Sequence, residues 1–87
     1  MITIKSDGII FTARTATLLV EQLNDFSFAR CDTAAEFMRE HALRAYETNE
    51  DMIRADTPEN YLEDCIKYGI YELVSDTDRQ PVKASNK

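Results

Sequence analysis

The 87-residue sequence predicts a small single-domain α+β fold, and three observations carry that class. Two short β-branched runs flank an Asp-Gly pair near the start, two helix-start signatures follow, and no repeat or linker-like stretch divides the chain. Hydrophobic residues make up 44% and charged residues 30%, the balance of an ordinary folded domain rather than a disordered one. A chain of this length buries somewhat over ~60% of the surface its unfolded form exposes, so the core is modest.

Ile2-Thr3-Ile4-Lys5 and Ile9-Ile10-Phe11-Thr12 are strand-forming runs on either side of Ser6-Asp7-Gly8, where Asp-Gly supplies the positive φ of a tight hairpin. Over residues 15–25, Ala16, Leu18, Leu19, Val20 and Leu23 share one helical arc and Thr17, Glu21 and Asn24 the other. This spacing predicts a short amphipathic helix, with Gln22 as the exception and a strand as the alternative. Phe26-Ser27-Phe28-Ala29-Arg30-Cys31 alternates large and small side chains, which predicts a strand.

Thr33 followed by Glu36 is a capping box and starts the next helix. Its apolar arc holds Ala34, Phe37, Met38, Ala42, Ala45 and Tyr46, with His41 among them, and Met52 and Ile53 return to the same arc. One long helix over 33–55 is therefore expected. A break at Thr48-Asn49 is the alternative, because those two polar residues fall on the apolar side while Leu43 falls on the polar side. Thr57-Pro58-Glu59 then caps a helix over 57–68, whose inner side carries Tyr61, Leu62, Cys65 and Ile66 and whose outer side carries Asn60, Glu63, Asp64 and Lys67. Gly69 serves as a left-handed cap, followed by a strand over 70–74, with helix continuing to Val74 as the alternative. Residues 1–78 form the domain on this reading, and the polar, basic stretch 79–87 is a disordered tail.

Several function classes lose support. No apolar run reaches the ~18 residues that span a bilayer, and the first residues do not resemble a secretory leader, so neither membrane nor secretion is expected. A net charge of −6 and scattered basic residues argue against direct nucleic-acid binding. Cys31 and Cys65 lack CxxC spacing and read as free thiols of a reducing cytoplasm. With His41 they are the only candidate zinc ligands or Cys-His nucleophile pair, and a fourth ligand is missing. Asn49, Glu50, Asp51 and Asp56 lack the alternating acids and central glycine of a calcium loop. Gly8 and Gly69 each have a turn or cap to explain them, so no phosphate-cradling loop is present. Glu36 with Glu40 and Glu59 with Glu63 lie on solvent-facing arcs, where paired carboxylates solubilise rather than catalyse. No catalytic residue, metal or cofactor is expected.

One feature points toward a function. Residues 50–78 hold nine acids against two bases, Arg54 and Lys67, which is more negative than the chain as a whole. Much of this charge sits on or beside the helix begun by Thr57-Pro58. The expected function is a non-enzymatic cytoplasmic protein that binds a basic surface of a protein partner, using Glu59, Glu63, Asp64, Tyr68 and Tyr71. Where that partner binds nucleic acid, carboxylates stand in for phosphates, as in an inhibitor of phage or mobile-element type. The alternative is a structural or regulatory subunit that forms a homodimer through the apolar face of the long helix.

Overall fold

The computed structural model describes residues 1–28 and 30–76. Strand β1, Ile2–Ser6, pairs antiparallel with β2, Ile9–Ala13, from Ile2 opposite Ala13 to Ser6 opposite Ile9. Asp7 at φ 51° and Gly8 at φ 81° give the two positive φ angles that a two-residue hairpin needs. Ile2, Ile4 and Phe11 turn toward the core. On the other face Thr3 and Thr12 meet through hydroxyls 2.6 Å apart.

Helix α1, Ala16–Phe26, begins where the Thr15 hydroxyl accepts the Leu18 N–H at 3.2 Å. It buries Ala16, Leu19, Val20 and Leu23 and packs against β2 and both later helices. Gln22, the exception on its wheel, donates from Nε2 to the Thr12 carbonyl at 2.8 Å and so ties the helix to β2. Two residues leave their expected arcs, since Leu18 is exposed and Asn24 is buried. The Asn24 amide donates to the Cys31 carbonyl at 2.9 Å and accepts the Cys31 N–H at 2.8 Å. That bond pair also corrects the strand expected over 26–31, because it occupies backbone groups a neighbouring strand would have used. Phe26 is instead the last residue of α1, and the described residues of that segment form no strand.

Helix α2, Ala34–Asn49, is capped by the Thr33 hydroxyl, which accepts the Glu36 N–H at 3.1 Å. The helix expected over 33–55 stops early: Glu50 adopts a left-handed conformation, φ 60°, and its N–H bonds to the Tyr46 carbonyl at 2.7 Å. The break falls directly after Thr48 and Asn49, the polar pair on the apolar stripe, where the alternative expectation put it. The break lets the irregular segment 51–57 lay Ile53 and Ala55 against the core. Helix α3, Pro58–Lys67, is capped by Thr57 and closed at Gly69, φ 79°, where the Ile70 N–H reaches the Cys65 carbonyl at 2.8 Å and the Gly69 N–H reaches Ile66 at 3.1 Å.

Because the Tyr71 N–H also bonds back to the Cys65 carbonyl, at 3.3 Å, the last strand starts later than the expected 70–74: β3 is Glu72–Asp76. It pairs antiparallel with the free edge of β1, giving the sheet order β2-β1-β3. Val74 is an extra residue between the Thr3–Ser75 and Ile4–Leu73 pairs, a bulge that bends the strand. The fold is thus a three-stranded antiparallel sheet with three helices, and Ile4, Leu19, Val20, Tyr61 and Cys65 form its fully buried centre. Among the described residues no helix is long and apolar enough to cross a membrane. The tail expected over 79–87 lies outside the described residues.

Candidate interaction surface

Helix α3 positions most of the residues expected to meet a partner. The Thr57 hydroxyl accepts the Asn60 N–H at 3.0 Å, and Asp56 accepts from the Asn60 side chain at 3.1 Å, an interaction that holds the Asp56 carboxyl below the usual carboxylate range. With the helix start fixed in this way, Tyr61, Leu62 and Cys65 turn inward and Glu59 and Glu63 outward. Glu59 is an exposed carboxylate in the first turn of α3. Glu63 is exposed but shared, accepting from Arg54 Nη2 at 3.2 Å.

Asp64 corrects the expectation of a surface acid, for it is only 6% exposed. Arg54 donates to both of its oxygens, from Nε at 2.9 Å and from Nη2 at 3.0 Å, and the Arg54 backbone N–H adds a third bond at 2.8 Å. These bonds hold the Asp64 carboxyl below its ordinary range and raise the Arg54 guanidinium. Asp64 is therefore the clamp that fastens the 51–57 segment to α3. No pattern of charge alone reveals this, because its partner lies ten positions away in a stretch without regular structure.

Tyr71 is the second correction, at 5% exposure. Its hydroxyl lies 2.9 Å from that of Tyr61, which in turn bonds to His41 Nδ1 and touches the Cys65 thiol. Burial raises both tyrosines above the ordinary phenol range, pushes Cys65 up to about 12, and lowers His41 with help from the nearby Arg44 charge. A neutral, mutually hydrogen-bonded cluster at the core boundary is the result. Its thiol is protonated and shielded, the opposite of an activated nucleophile. Tyr68, by contrast, is exposed, with Lys67 Nζ 5.5 Å from its ring centroid.

The break in α2 uncovers residues that the sequence assigned to a buried helical arc. Tyr46 is 50% and Met52 67% exposed. With Ala42, Ile53, Asp51 and Arg54 they line an open, largely apolar hollow of about 450 Å3. Arg54 joins this hollow to α3, since the same guanidinium binds Glu63. The polar interruption at Thr48-Asn49 was the signal that could have found it. Among the described residues no three of His, Cys, Asp or Glu are grouped so as to hold a metal ion. Comparison with protein-family models, curated proteins and solved structures found no match.

Proposed function

We propose that this chain is a non-enzymatic cytoplasmic protein that binds a basic surface of a protein partner, seating an apolar side chain of that partner beside Tyr46 and Met52. The observation that carries the reading is the juxtaposition of an exposed aromatic and methionine hollow with carboxylates, half-buried Asp51 in its lining and exposed Glu63 linked to it through Arg54. Interfaces commonly place aromatic and methionine anchors at the centre and charge at the rim. Glu59 and Tyr68 extend the surface along and beyond α3. For a partner that binds nucleic acid, the carboxylates occupy the places of phosphates and the protein acts as an inhibitor.

The test uses the full chain as bait in its host's lysate, followed by binding measurements on the purified partner. The wild type is expected to retain a basic protein whose affinity falls with salt, since exposed charges are screened beyond ~8–10 Å at physiological strength. Glu59→Lys with Glu63→Lys, and separately Met52→Asp, are each expected to weaken that complex about tenfold or more while circular dichroism stays native. A complex indifferent to both variants overturns the proposal. Exposure of Tyr46 and Met52 also suits a homodimer; a salt-resistant dimer in sedimentation that Met52→Asp abolishes would establish self-association in place of the acidic dock.

A further inference from the structure

All four phenylalanines of the chain, Phe11, Phe26, Phe28 and Phe37, line one hollow of about 400 Å3 between the hairpin, the end of α1 and the middle of α2. Phe37 belongs to the core, but Phe26 is 62% exposed and Phe28 is fully exposed. Packing accounts for only part of this arrangement: Phe11 and Phe26 meet edge to face with centroids 5.4 Å apart, whereas the Phe28 side chain stands free in solvent. Two large apolar rings held in water beside a concave wall are costly unless something covers them.

The lining also carries polar groups: Ser6, Ser27 and Tyr71 with hydroxyls, Asp7, His41 and Arg44. His41 reaches the hollow from α2 with Nδ1 already engaged by Tyr61, which leaves Nε2 as its remaining polar ring atom. Arg44, one turn further along α2, lines the same hollow, is exposed, and forms no ion pair with another described residue. Asp7 is the one carboxylate of the lining and sits on the hairpin turn. Small-molecule sites are concave, mostly apolar, roughly 300–1,000 Å3, and carry a small number of placed polar groups. Here those features come together away from the acidic surface.

We infer that this hollow binds a small planar aromatic carboxylate, its ring among Phe11, Phe26 and Phe28 and its carboxylate on Arg44. The guanidinium gives a paired, charge-assisted contact that a neutral or cationic ring compound lacks. This binding is independent of the partner surface around Met52.

The test titrates the full chain with 1-naphthoate, 1-naphthalenemethanol and 1-naphthylmethylamine at equal ionic strength, read by backbone amide shifts. Naphthoate is expected to give saturable shifts centred on Ile9, Phe28 and Ile70 and to bind about tenfold tighter than the alcohol. Arg44→Gln should erase that preference while leaving the alcohol's affinity unchanged. Phe28→Ala, which removes a ring the fold does not bury, should weaken both about fivefold or more. The inference is overturned by shifts that do not saturate, by equal binding of all three compounds, by preference for the amine, or by an Arg44→Gln protein that still favours naphthoate.

Discussion

At the centre of the residue-scale chemistry stands Tyr61, whose hydroxyl serves His41 and Tyr71 at once from a fully buried ring. Tyr61→Phe keeps the ring and strands both partners, so it is expected to cost roughly 1–3 kcal/mol in urea unfolding, against near-neutrality for a solvent-facing tyrosine. The same cluster shapes the pH profile of stability. His41 is lowered from 6.5 by burial, so the unfolded chain binds its proton more readily; stability is complete above that value and declines as pH falls through it. Cys65 and the two tyrosines are raised from 9.0 and 10.0, so the unfolded chain loses those protons first and stability falls as pH rises past 9. Thermal melts between pH 5 and 11 should give a plateau from about 7 to 9, and Tyr61→Phe should shallow the alkaline slope. Helical phase placed His41 and Tyr61 on inward arcs. The hydroxyl contacts joining them to Tyr71 were illegible, because a residue just beyond the Gly69 cap has no fixed phase relative to either helix.

Among the elements, those with a local chemical start were legible and those fixed by a distant contact were not. Asp7-Gly8, Thr33 with Glu36, Thr57-Pro58 and Gly69 each satisfy or free backbone groups within a few residues, and each stands where the sequence placed it. The strand expected over 26–31 failed because Asn24, seven residues before Cys31, captures its backbone. The end of α2 was legible only as the alternative break at Thr48-Asn49: nothing in 50–55 forbids helix, and the Arg54–Asp64 bonds that fix the following segment join residues ten positions apart. That ending carries strain, as Glu50 occupies left-handed space that costs a side-chain-bearing residue about 1–2 kcal/mol. Glycine there forgoes this and adds roughly 0.5–1 kcal/mol of chain entropy on unfolding. Glu50→Gly should therefore stabilise the protein by about 0.5 kcal/mol, a rise of a few degrees in Tm by calorimetry.

For the whole molecule, an acidic surface and a small core act together. The described fold has three strands of five residues each, close to the minimum for an independently stable sheet, and depends on helices to cover one face. Of the acids that dominate residues 50–78, Asp64 and Asp56 hold the fold together, whereas Glu59 and Glu63 stay exposed on the outer side of α3. Charge counting located this region and could not divide its labour, since that division depends on where Arg54 lands. The sheet order has a mechanical consequence as well. Central β1 pairs with β3 so that Ile2 faces Asp76, and the two residues stand side by side at one end of the ladder. A load applied through them peels the β1–β3 hydrogen bonds one pair at a time instead of shearing them together. Drawn apart through Ile2 and Asp76, the β1–β3 pairing is therefore expected to yield at lower force than a sheet loaded in shear.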